Sequence, residues 1–196
     1  KATCFSNLVQ EKMRYKRLNN FPPELMTLLK DRWNDIQTEK YDDIPCVEPS
    51  LKMIVCKSLN NKFQPHFKAK IQGIVFAVSD KDLAMAKIHT DKSRHTTMNV
   101  PIQVDHVGSF ICGKTTDLSV YQPPRQQILD GKTSNEYPWE TAMYEFVSME
   151  TPLIINTKVP HAWCGNEDSD RVIASFMFED GLKPKELINS TPSDWF

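Results

Sequence analysis

The residues able to do chemistry lie in two short runs far apart in the chain. In Ile88-His-Thr-Asp-Lys-Ser-Arg94, His89 and Asp91 stand two positions apart. On a strand that spacing points both side chains to one face and turns Thr90 away. An imidazole and a carboxylate so placed make two thirds of a facial metal site. A third ligand is available in Thr157-Lys-Val-Pro-His161, and ten positions further on Arg171 follows Asp170. Two imidazoles and one carboxylate, with the opposite positions open, suit non-haem Fe(II). A guanidinium beside them offers a forked, permanently charged grip for a carboxylate. An HxD triplet alone is a common accident, so the weight rests on the ordered set of His89, Asp91, His161 and Arg171.

Converging these runs requires strands that return to one another. Residues 52–59, 70–78, 84–91, 97–104, 109–113, 142–148, 153–156, 159–163 and 171–178 read as short strands rich in Val, Ile, Phe and Thr, bounded by turn residues. That many strands in this length imply two packed sheets, an all-β sandwich or barrel. Pro101 inside one of them belongs at an edge or a bulge. Ahead of the strands, Leu25, Leu28, Leu29, Trp33 and Ile36 recur at helical spacing after Pro23, which predicts an amphipathic helix over 23–39 that buttresses a sheet. Residues 1–20 are polar and basic, with weak local structure expected. Residues 115–141 are long and polar, an expected excursion over the mouth of the sandwich, where Tyr121, Arg125, Tyr137 and Trp139 would select substrate. A last helical turn is expected over 183–189. The whole reads as one domain over 1–196, with a helical part to about residue 45 and a β core over about 50–180.

Composition narrows the function classes. Lys and Arg total 24 against 25 Asp and Glu in 196 residues, so no global field draws in nucleic acid. Cys4, Cys46, Cys56, Cys112 and Cys164 are odd in number and lack CxxC spacing, which points to reduced thiols in a cytoplasmic compartment. No apolar run reaches the roughly 20 residues that span a bilayer. The expected partner is a small-molecule or peptide substrate, and the pattern sets no oligomeric state.

The motifs quoted above, with Met98-Asn-Val-Pro101 and Asp170-Arg-Val-Ile-Ala-Ser175, resemble the Fe(II)/2-oxoglutarate-dependent oxygenases, in particular small prolyl- and aspartyl-hydroxylase-like and phage-type members. The resemblance covers roughly residues 70–180. It implies a mainly β, double-stranded β-helix (jelly-roll, cupin-like) fold, Fe(II) held by His89, Asp91 and His161, and 2-oxoglutarate whose distal carboxylate pairs with Arg171. It implies too that O2 and 2-oxoglutarate are consumed with release of succinate and carbon dioxide while a substrate C–H bond is hydroxylated. Keeping Asp91 favours hydroxylation over halogenation, whose enzymes replace this carboxylate. The family often carries a hydroxyl two positions beyond the arginine; position 173 is Ile, and the nearest serine is Ser175. Repair dealkylases of the superfamily carry a second arginine six positions on, where this chain has Met177.

Further residues compete for roles. Arg94 binds substrate, orients a ligand or grips the co-substrate in place of Arg171, or is a solvated turn residue. Asn99 reaches the 1-carboxylate of 2-oxoglutarate or completes a local network. Trp163, two beyond His161, walls the pocket or belongs to the core. Asp105 and His106 are adjacent and so point to opposite faces, and His66 and His106 read as surface residues. Two other functions stand beside the oxygenase: a cupin-like metal-dependent enzyme that does not use 2-oxoglutarate, against which the absence of HxH counts, and a binding module with a decayed metal site.

Overall fold

A computed structural model describes residues 13–38, 46–48, 51–79, 87–92, 94–103, 109–122, 124–129, 132–163 and 171–196. Among these the strands are β1 (Tyr15–Arg17), β2 (Cys46–Glu48), β3 (Leu51–Val55), β4 (Ile71–Ser79), β5 (His89–Thr90), β6 (Thr96–Gln103), β7 (Ser109–Gly113), β8 (Arg125–Leu129), β9 (Lys132–Glu136), β10 (Tyr144–Ser148), β11 (Leu153–Asn156), β12 (His161–Trp163) and β13 (Arg171–Phe178). The α-helices are α1 (Pro23–Thr38), α2 (Lys57–Phe63) and α3 (Pro184–Ser190). The strands form two antiparallel sheets. The larger runs β1-β11-β6-β13-β4-β3-β2 and the smaller β10-β7-β12-β5-β9-β8. Cys4, Cys164 and the Asp105–His106 pair lie outside the described residues.

Alternation along β13 explains the layering. Val172, Ala174, Phe176 and Phe178 are buried on the outer face of the larger sheet, against the helices. Ile173 and Ser175 point the other way and line a cavity between the sheets. Helix α1 closes the outer face with Leu25, Leu29, Trp33 and Ile36, the stripe that its spacing predicts. The Trp33 ring lies 5.7 Å from that of Phe76 on β4. Between the sheets, Phe110 and Cys112 of β7 pack with Leu153 and Ile155 of β11 in a second apolar cluster, and Phe110 backs the rings of His161 and Trp163.

The structure departs from expectation over 52–59 and over 115–141. The strand expected over 52–59 stops at Val55, and α2 follows, with Leu59 and Phe63 buried one turn apart; Phe63 meets Phe176 edge-on at 5.0 Å. The stretch 115–141 does not simply arch over a mouth. Part of it forms the hairpin β8–β9, which extends the smaller sheet beyond β5. Tyr121 and Tyr137 are buried with Ile88, Ile111, Tyr144 and Ala162 in a separate apolar cluster. On β7 and β12, Ile111 and Ala162 alternate with the inward-facing Phe110, Cys112 and His161, so this cluster covers the outer face of the smaller sheet. The expected role of Tyr121 and Tyr137 in substrate selection is thereby corrected, because both belong to the packing. Pro101 lies where its missing N–H does least harm: β11 pairs with β6 only as far as Asn99, and the β13 register shifts beside Ile173, the partner of Pro101.

Candidate metal centre

Strand pairing brings the two distant runs together. His161 on β12 stands directly opposite His89 on β5, and their rings lie 4.7 Å apart. β5 is only two residues long, so Asp91 falls just beyond it rather than on it. Its carboxylate still reaches the same place, with Oδ1 3.6 Å from His89 Nε2. One potential ligand atom from each of His89, Asp91 and His161 lies within 4.8 Å of the others.

Main-chain carbonyls decide which imidazole nitrogen is available. His89 Nδ1 lies 2.9 Å from the Lys87 carbonyl, and His161 Nδ1 lies 2.9 Å from the Val159 carbonyl. A carbonyl only accepts, so each Nδ1 carries a proton and Nε2 is the nitrogen left to ligate. That is the tautomer a metal ligand needs, with the other ring nitrogen anchored. His161 is 5 % exposed, and this burial, helped by the neighbouring His89, pushes its pKa down to about 4. It is therefore neutral at pH 7. Two imidazoles and a carboxylate converging on one point fit an Fe(II) ion by the chemistry of the donor set.

The three side chains border a cavity of about 150 Å³. Its wall on the larger sheet carries Ala77, Thr97, Asn99, Ile173 and Ser175. Thr97 Oγ1 donates to the Phe176 carbonyl at 2.9 Å and lies 3.1 Å from Ser175 Oγ. Asn99 is 4 % exposed, and its Oδ1 has no hydrogen-bond partner among the described residues, so its amide is presented to whatever fills the cavity. Arg171 is 3 % exposed. Its guanidinium carbon stands 4.5 Å from the centre of the Trp163 ring, a cation–π stack. Trp163 lines the cavity, whereas Arg171 is not among the lining side chains. Arg94 lies beside Asp91, with Nε 3.1 Å from Oδ2.

Sequence reasoning thus named the side chains that converge but missed what holds them. Thr157 and Lys158, quoted there only as neighbours of His161, contact the loop that carries Asp91. A lysine between Thr157 and Val159 gives no sign in sequence that it will fold onto two carbonyls of another loop.

No protein-family model matches the chain, and no curated protein sequence does. Solved structures resemble it in fold. AviO1 from Streptomyces viridochromogenes Tue57 aligns with a TM-score of 0.52 at 11% identity, over 93% of this chain and 94% of that one. A prolyl hydroxylase from Trichoplax adhaerens, in complex with a peptide fragment of the hypoxia inducible factor oxygen degradation domain, aligns with a TM-score of 0.51 at 11% identity, over 95% of this chain and 90% of that one. At such identity the likeness is one of fold.

Proposed function

We propose that the chain, as one domain over 1–196 on a double-stranded β-helix, is an Fe(II)- and 2-oxoglutarate-dependent dioxygenase. It hydroxylates a small-molecule, amino-acid or protein side-chain substrate. The observation that carries this reading is the pair of imidazoles whose Nδ1 protons are committed to carbonyls, converging with Asp91 at the edge of a cavity. His89, Asp91 and His161 hold the iron, which activates O2 when bound. Arg171 pairs with the distal carboxylate of 2-oxoglutarate, and Trp163, stacked on it, fixes its plane. Asn99, on the cavity wall, turns its amide nitrogen toward the 1-carboxylate. Arg94 lends a second cation at the same edge. Ala77 and Ile173 keep the wall between them apolar and exclude water. The peptide in the Trichoplax structure supports keeping a peptide among the candidate substrates.

One observation favours the cupin-like reading, a metal enzyme that does not use 2-oxoglutarate: Trp163, and not the Arg171 guanidinium, lines the cavity. A single experiment separates the two. Anaerobic addition of Fe(II) and 2-oxoglutarate to the purified protein is expected to give the weak visible charge-transfer band of a chelated 2-oxo acid. Admission of O2 is then expected to yield succinate. Iron binding without that band, and without succinate, overturns the 2-oxoglutarate reading in favour of the cupin-like one.

A further inference from the structure

The Asp91 loop has no strand of its own to hold it. β5 ends at Thr90 and β6 begins at Thr96, so the carboxylate sits on a connection between them. What fixes that connection is the turn between β11 and β12, which also delivers His161. Asp91 N–H donates to the Thr157 carbonyl at 2.9 Å, and Thr157 N–H donates to the His95 carbonyl at 3.1 Å. Thr157 Oγ1 donates to the Arg94 carbonyl at 2.8 Å. The Lys158 ammonium reaches two successive carbonyls, those of Asp91 at 2.9 Å and Lys92 at 2.7 Å. Asp91, Lys92, Arg94 and His95 are therefore all tied to one dipeptide. Lys158 is itself held, since its own N–H donates to Asn156 Oδ1 at 3.1 Å.

Within the loop, Arg94 Nε takes Asp91 Oδ2 at 3.1 Å. The other oxygen, Oδ1, faces His89. We propose that Lys158, with Thr157, and Arg94 are positioning residues that present Asp91 to the metal as a one-oxygen ligand: the turn sets where the carboxylate stands, and Arg94 sets which oxygen is offered. The inference rests on the metal-centre reading above and adds to it the means by which the ligand outside the strands is placed. Without the clamp the metal has to order this loop on binding, and its affinity falls by that cost. Removal of groups that orient metal ligands typically costs 10- to 100-fold in affinity.

The test uses the full chain stripped of metal, with Mn(II) as probe for affinity, read from the free-ion EPR signal, and Co(II) as probe for coordination, read from its visible absorption. Lys158→Met keeps the length of the side chain and removes the ammonium. It is expected to weaken Mn(II) binding about 10- to 100-fold, with Lys158→Arg recovering most of the loss. Arg94→Ala is expected to change the shape of the Co(II) band as Oδ2 becomes available, a signature that a merely structural role leaves unmoved. Thermal melts of the metal-free variants check folding. Should Lys158→Met fail to fold, Thr157→Val deletes only the hydroxyl contact to the Arg94 carbonyl and is expected to weaken Mn(II) binding in the same direction. Unchanged Mn(II) affinity in a folded Lys158 or Thr157 variant, together with an unchanged Co(II) band in Arg94→Ala, overturns the clamp while leaving the metal centre in place. A wild-type chain that binds neither ion overturns the metal centre and the clamp with it.

Discussion

Each imidazole at the centre owes its usable Nε2 to a carbonyl two residues earlier in the chain, just ahead of its strand, Lys87 for His89 and Val159 for His161. This local arrangement makes the ligand roles separable by mutation. His161→Ala is expected to abolish Fe(II) binding and succinate formation while the circular dichroism spectrum stays that of the folded chain; iron bound as before would remove His161 from the ligand set. Arg171→Ala is expected to raise the 2-oxoglutarate requirement far more than it alters metal affinity. Loss of a charge-assisted partner for a buried carboxylate costs about 2 to 5 kcal/mol, so titration of the charge-transfer band should shift by more than tenfold. An unshifted titration would make Arg94 the next candidate for that grip. At this scale the sequence told most, because HxD spacing and a distant histidine followed by arginine are readable without coordinates. It could not tell that Arg94 pairs with Asp91, since a turn arginine has several carboxylates and carbonyls within reach until the loop is placed.

Among the elements, the strands with strong β-branched content were readable nearly to the residue: β11 and β13 begin and end where their patterns do. Elements without that content were not. The hairpin β8–β9 is built from Arg-Gln-Gln-Ile-Leu and Lys-Thr-Ser-Asn-Glu, which carries almost no hydrophobic alternation, and it is a strand pair because it extends an existing sheet edge at β5. Tertiary pairing overrides local preference in such cases. Helix α2 was hidden because Leu59 and Phe63 continue the apolar content of β3, and only their four-residue spacing betrays the change of period. The placement of Tyr121 on the outer face of the smaller sheet has a consequence for mutation. Its ring packs against those of Tyr137 and Tyr144 at 6.0 Å and 5.7 Å, and its hydroxyl donates to the Thr115 carbonyl. Tyr121→Ala is expected to cost about 3 to 5 kcal/mol of stability, as for other large buried aromatics, and to leave metal affinity within twofold. Denaturant melts and Mn(II) titration check both halves; a selective loss of metal binding or substrate choice at full stability would return Tyr121 to the site.

For the molecule as a whole, two facing sheets turn chain distance into proximity. His89 and His161 meet because β5 and β12 are neighbours in the smaller sheet, and the order of strands in a sheet is not written in any one strand. Among the described residues no helix is long and apolar enough to cross a membrane. A metal joining segments so distant in sequence stabilises the folded state by linkage. At a hundredfold excess over Kd the gain is about 2.7 kcal/mol, or roughly 5–10 °C in Tm for a chain of this size. Thermal melts with and without Mn(II) should show that rise in the wild type and none in His161→Ala. The central claim is tested most directly by a crystal structure of the protein loaded anaerobically with Mn(II), read by anomalous scattering. The expected result is one peak within coordination distance of Nε2 of His89, Nε2 of His161 and a single carboxylate oxygen of Asp91. A peak elsewhere, or one that omits any of the three, contradicts the account.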